Sequence, residues 1–195
     1  MQALVFCTHN AHKLQEVSQI MGSDVEFRTL TDVGFYDEIP EPFFTLQENA
    51  EQKTGLVFER IQQDCFSEDT GLFVDVLGGE PGVFSARYAG EPSSSEKNIE
   101  KLLHNLQHET NRKAHFKTVI SLRLGGKKYL FEGVCEGQIS QHMMGEKGFG
   151  YDPIFIPSGN EISFAQMTAE QKNNISHRRK AFEAMQQFLV AQSKA

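Results

Sequence analysis

The stretch that decides the fold is residues 67–90, S-E-D-T-G-L-F-V-D-V-L-G-G-E-P-G-V-F-S-A-R-Y-A-G. Glu68 and Asp69 follow a short apolar approach and precede Gly71, which adds no side chain and tolerates positive φ. We therefore expect the two acids at the end of a strand, where a ligand can approach closely. Such a pair suits a hard cation that prefers oxygen ligands, above all Mg²⁺. The alternative is an acidic turn that only caps the strand, and the stretch taken alone favours it.

Length and composition define the broad class. A chain of 195 residues fits a single domain over 1–195, which can have two lobes, and it can bury a sizeable core. The net charge of −7 argues against a broad basic face for nucleic acid, but a local pocket for a small anion remains compatible. The three cysteines are far apart and predict reduced, mostly buried thiols. With no signal peptide and no apolar run of about 18 residues, we expect a cytoplasmic protein that does not enter a membrane.

The first motif joins a strand to a helix. Ala3–Cys7 is a short apolar run typical of a buried strand, and a helical pattern follows it and ends at Gly22. The polar turn between them consists of Thr8, His9, Asn10, Ala11, His12 and Lys13. Such a turn can present helix amides to an anion, and Lys13 can add its charge to a bound phosphate. A plain helix cap followed by a solvated lysine is the alternative.

The next segment predicts a second strand and a second helix. Val25–Leu30 alternates apolar and polar residues, and the loop after it carries acids that include Glu41. Thr45–Glu48 has the pattern of a capping box, which predicts a helix that runs to about Gln63. Lys53 lies about two turns along this helix. Taken alone, Lys53 is a solvated helix lysine. The acids of the loop are either ordinary surface charges, the commoner case, or a contribution to a metal site.

The middle of the chain predicts a helix and a hairpin. The sequence S-S-S-E at residues 93–96 is typical of a helix start. Ala114–Leu124 and Lys127–Glu136 both alternate apolar and polar residues, and Gly125–Gly126 lies between them. This pattern indicates two antiparallel strands joined by a tight turn.

The last third of the chain adds a glycine-rich loop, G-E-K-G-F-G-Y-D-P at residues 145–153, ahead of a predicted strand at Ile154–Ile156. Its candidate site residues are Phe149, Gly150, Tyr151 and Asp152. Aromatic rings beside glycine can lie flat against a planar ligand such as a base, although more often they simply fill a core.

Two helices end the chain. Thr168 predicts the cap of a short helix that contains Lys172, and Ser176 predicts the cap of the final helix. Residues His177–Lys180 place a run of basic side chains in the first turn, where they oppose the helix dipole. An anion or a polar ligand at this turn would explain them, and so would simple solvation.

Together these motifs resemble the inosine/xanthosine triphosphate pyrophosphatase family, and they do so over nearly the whole chain. The matching motifs are T-x-N-x-x-K, E-N-A-x-x-K, E-D-T-G-L, P-G-V-F-S-A-R-Y-A-G, G-F-G-Y-D-P-I-F and F-A-Q-M-T-A-E-Q-K-N-N-I-S-H-R-R-K-A. The resemblance implies an α/β fold, with an elongated mixed β-sheet flanked by helices and two lobes with a cleft between them. It also implies a homodimer and Mg²⁺-dependent hydrolysis of ITP, dITP and XTP to the monophosphate and pyrophosphate.

The resemblance also assigns site residues. Asp69 matches the catalytic acid and a metal ligand, with Glu41 as the second metal ligand and Glu68 as the other candidate. The positions that match triphosphate contacts are Thr8 to Lys13, Lys53 and Thr70. The positions that match nucleoside contacts are Phe149, Gly150, Tyr151, Asp152, Lys172, His177 and Arg178. We expect Phe149 to stack on the purine and the His177–Arg178 turn to donate to its O6. The segment E-P-F-F-T at residues 41–45 lacks the glycine usual in the family.

The sequence therefore predicts a Mg²⁺-dependent nucleoside triphosphate pyrophosphatase that acts on small-molecule purine nucleotides. A related enzyme for pyrimidine or modified nucleotides is one alternative. A nucleotide sensor without turnover is another, which the acidic pair disfavours because a sensor needs no metal-activated water. An RNA-binding module is disfavoured by the net charge of −7.

Overall fold

The structure is a computed structural model that describes residues 3–22 and 27–192. In chain order the strands and α-helices are β1 (Leu4–Phe6), α1 (Ala11–Met21), β2 (Phe27–Thr29), α2 (Leu46–Ile61), β3 (Cys65–Val74), β4 (Pro81–Gly82), α3 (Ser95–Asn105), β5 (Lys113–Leu124), β6 (Lys127–Ile139), β7 (Phe155–Pro157), α4 (Ala169–Ile175) and α5 (His177–Gln192). Short 3₁₀ helices span Thr31–Val33, Asp75–Leu77, Ser85–Arg87, Asp152–Ile154 and Phe164–Gln166. The predicted α/β class is confirmed.

Within the described residues, one seven-stranded sheet has the order β2-β1-β3-β5-β6-β7, with β4 paired to β3. β1 runs parallel to both β2 and β3, while β4 is antiparallel to β3 and β7 is antiparallel to β6. The sheet is therefore mixed, as predicted. The hairpin between β5 and β6 is also confirmed, since Gly125 and Gly126 both adopt positive φ, at 56° and 78°, as a tight hairpin turn requires.

The acidic pair does not lie at a strand end, so that prediction is wrong. β3 continues through Glu68 and Asp69 to Val74. Gly71 keeps this strand against its neighbour β4, because a Cβ at Gly71 would lie 2.5 Å from the carbonyl oxygen of Gly82. The sequence predicted that the missing side chain of Gly71 lets a ligand approach. In the structure it is the backbone of β4 that lies close to Gly71.

Smaller differences concern element ends. The second strand is limited to Phe27–Thr29, and residues 25–26 of the predicted strand lie outside the described residues. α2 ends at Ile61 rather than near Gln63, because Gln62 adopts the left-handed conformation with φ of 52°. The last strand begins at Phe155, since Ile154 still belongs to a 3₁₀ turn.

The chain divides into two compact units. Unit 1 comprises the described residues of Met1–Asp69, Thr118–Gly133 and Arg178–Ala195, and unit 2 comprises Thr70–Lys117 and Val134–His177. The division into two units is consistent with the two lobes predicted from the sequence. The predicted cleft between the lobes stays a prediction.

Unit 1 has an apolar layer on each face of its strands. The side chains of β1 alternate between the two, as in any strand. Leu4 and Phe6 pack in a cluster with residues of α1 and α5. Val5 and Cys7 pack in a second cluster with Val57 of α2. The two faces of β1 and β3 in unit 1 therefore differ in which helices cover them.

Unit 2 has one apolar cluster. Leu72 of β3, Leu102 of α3, Phe116 of β5 and Phe155 of β7 all belong to it. Across the described residues, no helix is both long enough and apolar enough to cross a membrane. The three cysteines are free and buried, as predicted.

Candidate active site

Strand β3 separates the two acids. Neighbouring residues on a strand point to opposite faces. Phe66 packs on the side of α1 and α5, and Glu68 follows it to that side. Ser67 donates its hydroxyl to the carbonyl of Ala50 in α2, and Asp69 follows Ser67 to the α2 side. The expectation that Glu68 and Asp69 form one pair around a cation is therefore corrected.

On the α2 side, a buried lysine joins two carboxylates of unit 1. The Nζ of Lys53 lies 3.0 Å from Oδ1 of Asp69 and 2.6 Å from Oε1 of Glu41. It also donates to the main-chain oxygen of Glu68, at 2.8 Å. Burial lowers the pKa of Lys53, but the charges of Asp69 and Glu41 outweigh burial, and the pKa is raised. Lys53 is therefore a permanent cation rather than a solvated helix lysine.

The pKa of Asp69 is raised above its ordinary value. Burial is the main cause, and the nearby charges of Lys53 and Lys13 oppose it. A carboxylate whose pKa is raised holds a transferred proton more firmly than an ordinary aspartate does. The role of Asp69 as the catalytic acid stays a prediction.

Asn49 is a residue that the sequence analysis missed. Its side chain is fully buried, bonds to the main chain of Phe43 and reaches Oδ2 of Asp69, at 3.5 Å. A signal was present, because Asn49 belongs to the E-N-A-x-x-K motif and precedes Lys53 by four residues, which places both on one face of a helix.

The carboxylates beside Lys53 are the type of ligand that a hard divalent cation prefers. The carboxylates of Glu41 and Asp69 converge on one position of positive charge, which the ammonium group of Lys53 holds. Mg²⁺ is commonly bound by one or two carboxylates together with water and substrate phosphates. The described residues contain no group of three or more His, Cys, Asp or Glu that could hold a metal, and Mg²⁺ stays a prediction.

On the opposite face, Glu68 forms a buried ion pair. Arg178 donates from Nε to Oε2 of Glu68, at 2.8 Å, and from Nη2 to Oε1, at 3.0 Å. Lys13 lies 3.4 Å from the same carboxylate, and Glu16 also pairs with Arg178. Burial alone would raise the pKa of Glu68, but Arg178 and Lys13 hold it at about 2. Glu68 is thus committed to these cations, whereas Glu41 and Asp69 are the carboxylates beside Lys53. Metal binding by any of the three stays a prediction.

These contacts explain one of the basic residues in the first turn of α5, Arg178. Arg178 is almost fully buried, so the alternative of simple solvation does not apply to it. The anions beside it are Glu68 and Glu16 of the protein, and they raise the pKa of the guanidinium against the effect of burial. Glu16 was not predicted, although it lies three residues after Lys13 in the sequence. Contact of Arg178 with a base stays a prediction.

The polar turn of residues 8–13 forms the predicted helix cap. Oδ1 of Asn10 accepts from the amides of His12 and Lys13, at 3.0 and 3.2 Å, and Ala11 begins α1. Thr8 accepts from the amide of Asn10, and His9 bonds to the main-chain oxygen of Asp37. The turn is thus ordered by its own side chains, and its binding of the triphosphate stays a prediction.

A second group of predicted residues lies in unit 2. Oδ2 of Asp152 accepts from the amide of Phe149, at 2.9 Å, and from Nζ of Lys172, at 2.6 Å. The Nζ of Lys172 lies 5.1 Å from the ring centre of Phe149. Gly148 makes this possible, because it adopts φ of +77° and a Cβ there would lie 2.0 Å from the Asp152 carboxylate. The structure therefore brings these predicted residues together and holds the Phe149 ring beside a cation.

The remaining predicted residues of unit 2 lie in or next to its core. Tyr151 is buried and donates its hydroxyl to the carbonyl of Ser85, at 2.8 Å, and burial raises its pKa. The ring of His177 stacks on Phe116, with 4.6 Å between the ring centres. For Tyr151 the core-filling alternative describes the packing, whereas the alternative of simple solvation does not apply to the buried His177. Gly150 has φ of 61°, and Thr70 follows Asp69 in β3; their contacts with a substrate stay predictions.

Comparison with known proteins defines the family. A sequence model of the Ham1 family matches residues 4–188. This chain belongs to the Ham1 family. It is 47% identical over 186 residues to the dITP/XTP pyrophosphatase of Christiangramia forsetii, which covers 95% of this chain and 98% of the relative. The Ham1 protein of Staphylococcus aureus has the same fold, with a TM-score of 0.89 and 37% identity, over 98% of this chain and 100% of that one.

A second solved structure is also similar to this chain. The nucleoside-triphosphatase / dITP/XTP pyrophosphatase of Mycobacterium abscessus superposes with a TM-score of 0.78 and 35% identity, over 94% of this chain and 98% of that one. The family resemblance inferred from the motifs is thereby confirmed.

Proposed function

We propose that this Ham1 protein hydrolyses the non-standard purine nucleoside triphosphates ITP, dITP and XTP to the monophosphate and pyrophosphate, and so removes them from the nucleotide pool. The observation that carries the proposal is the buried Lys53, bonded to both Glu41 and Asp69. The identity of 47% to a dITP/XTP pyrophosphatase supports the choice of substrate.

The reaction is water attack at the α-phosphorus. The bond between this phosphorus and the oxygen bridging to the β-phosphate breaks, and the oxygen of water stays on the monophosphate. Asp69 accepts the proton of the attacking water as the general base. Lys53 and Lys13 offset the negative charge that builds up on the outer phosphates as pyrophosphate leaves.

Mg²⁺ is the proposed cofactor, held by Glu41 and Asp69. When bound, it would supply positive charge to the phosphates and make water easier to deprotonate. The carboxylates of Glu16, Glu41, Glu68 and Asp69 outnumber the cations of Lys13, Lys53 and Arg178 in this part of unit 1. A bound divalent cation would offset the repulsion between these carboxylates and the triphosphate.

Product analysis tests the proposed function. Purified protein is incubated with ITP, XTP, dITP, ATP, GTP and dUTP in ¹⁸O-labelled water with Mg²⁺, and the products are separated by chromatography. We expect monophosphate that carries the label, together with unlabelled pyrophosphate, chiefly from ITP, dITP and XTP, and we expect EDTA to abolish turnover. Diphosphate and orthophosphate as the main products would overturn the proposal, and tight binding without turnover would favour the sensor. A preference for dUTP would favour the pyrimidine enzyme.

Phe149→Ala is expected to weaken binding of the base. Stacking of a base on an aromatic ring contributes about 1–3 kcal/mol, so KM for ITP should rise by roughly 5- to 150-fold, with a smaller change in kcat. Steady-state kinetics on ITP measure both constants. Phe188→Ala is a control, because the Phe188 ring packs against Tyr129 and Phe131 in unit 1. Equal changes in KM for both variants would contradict the stacking role.

We also propose that the protein is a cytoplasmic homodimer with neither a nucleic acid nor a membrane as partner. Light scattering coupled to gel filtration measures the mass in solution, and a value of one chain, 22.0 kDa, would overturn the dimer. Filter binding of RNA at two salt concentrations tests the absence of a nucleic-acid partner.

A further inference from the structure

The side chain of Asn49 joins three parts of unit 1. Oδ1 accepts from the amide of Phe43, at 2.9 Å, and Nδ2 donates to the carbonyl of Phe43, at 3.2 Å. Nδ2 also lies 3.5 Å from Oδ2 of Asp69. Both main-chain groups of Phe43 are therefore held by one amide, much as they would be by a neighbouring strand.

The position of Asn49 in α2 matches this task. Asn49 and Lys53 are four residues apart, so their side chains share one face of the helix. Lys53 bonds to Oδ1 of Asp69 while Asn49 reaches Oδ2, so each carboxylate oxygen has a donor from a successive turn of α2. Asparagine has a low helix propensity, so Asn49 makes α2 less stable than a better helix former would. Asn49 is nevertheless fully buried within the helix, where it makes these contacts.

The same two turns hold the loop that carries Glu41. Asn49 fixes the main chain at Phe43, two residues after Glu41, and Lys53 bonds to the Glu41 carboxylate. The segment is therefore fixed by side-chain contacts from α2.

We propose that Asn49 is a positioning residue that sets the Glu41 and Asp69 carboxylates in place for a divalent cation. Asn49 positions Glu41 indirectly, by holding the main chain at Phe43, and it positions Asp69 directly, through the contact with Oδ2. The proposal rests on the proposed function, which needs the cation there. Removal of a group that hydrogen-bonds to a metal ligand typically lowers metal affinity or activity by about 10- to 100-fold.

The chain offers a matched control in Asn98. Asn98 is the fourth residue of α3, as Asn49 is of α2, and it is 3% exposed. Its amide clamps a loop in the same way, by accepting from the amide of Ala89 and donating to the carbonyls of Ser85 and Ala86. Asn98→Ala thus removes a buried loop clamp of the same kind, in unit 2.

The experiment measures the cation directly. Mn²⁺ alone is titrated into the full-length protein without nucleotide, and free Mn²⁺ is followed by electron paramagnetic resonance. Asn49→Ala should weaken Mn²⁺ binding at least about tenfold, whereas Asn98→Ala should leave it unchanged. Amide exchange measured by NMR should become faster at Phe43 in the first variant and at Ala89 in the second. The Mg²⁺ concentration for half-maximal turnover should rise only in Asn49→Ala, and excess Mg²⁺ should restore much of kcat.

Unchanged Mn²⁺ affinity in a folded Asn49→Ala would overturn the inference, and so would an equal loss in both variants. Absence of Mn²⁺ binding by the unchanged protein would also overturn it, because the carboxylates would then form no site in advance of substrate. If Asn49→Ala does not fold, Asn49→Asp keeps the shape and the acceptor for Phe43 but loses the donors. Wild-type Mg²⁺ dependence in Asn49→Asp would overturn the inference. Product analysis of the unchanged protein decides the proposed function separately.

Discussion

Asp69→Asn is expected to lower kcat for ITP by about 10²- to 10⁴-fold, the usual contribution of a general base. An amide keeps the shape of the carboxylate but cannot accept the proton of water, and it is a poorer ligand for Mg²⁺. Lys53 keeps the Glu41 carboxylate and the main-chain oxygen of Glu68 as partners, so the fold should persist. Nucleotide binding should change far less than turnover. Rapid-quench kinetics and calorimetric titration with ITP measure the two effects separately.

Asp37→Asn is the control for this change. Asp37 is an acid of the same unit, its side chain is 61% exposed, and it pairs with Arg60. An exposed ion pair contributes about 0–1 kcal/mol, so this variant should keep its turnover. Wild-type turnover in Asp69→Asn at saturating Mg²⁺ would show that another group takes the proton.

The local elements were predictable from the sequence because local chemistry determines them. Asn10 caps α1 with its own side chain, Thr45 accepts from the amide of Glu48, and Gly125–Gly126 supplies the two positive φ angles of the hairpin. Each depends on residues within a few positions of one another. The same holds for Asp152 and the amide of Phe149.

The contacts of the acidic pair were not predictable in this way. Whether Glu68 and Asp69 share a cation depends on whether the chain at that point is a turn or a strand, and the long β3 decides for the strand. Glu68 then meets Arg178, which is 110 residues away in sequence. No local pattern specifies such a partner. The contact between Asn49 and Asp69 was likewise not predictable, because it depends on how α2 packs against β3.

Glu68→Gln is expected to destabilise unit 1 strongly. Glu68 and Arg178 are each 1% exposed, and their bidentate pair compensates for the burial of both charges. Removal of one partner of a buried pair typically costs about 3–5 kcal/mol because the other charge remains buried. Glu16 still faces Arg178 in the variant, which favours the lower end of that range. Urea unfolding at pH 7 measures the loss, and Glu183→Gln, which breaks the partly exposed pair with Arg179, should cost no more than about 1 kcal/mol.

The dependence of stability on pH identifies the cause of this loss. The pKa of Glu68 is lowered from 4.5 to about 2 in the folded protein. A group whose pKa is lowered by folding contributes stability above its unfolded pKa and loses it as the pH falls toward its folded pKa. The shift corresponds to roughly 3 kcal/mol, which the unchanged protein should lose between about pH 5 and pH 2. In Glu68→Gln this contribution is absent, so the free energy of unfolding should fall less steeply over the same pH range. An equally steep fall in Glu68→Gln and in the unchanged protein would show that other carboxylates carry the acid sensitivity.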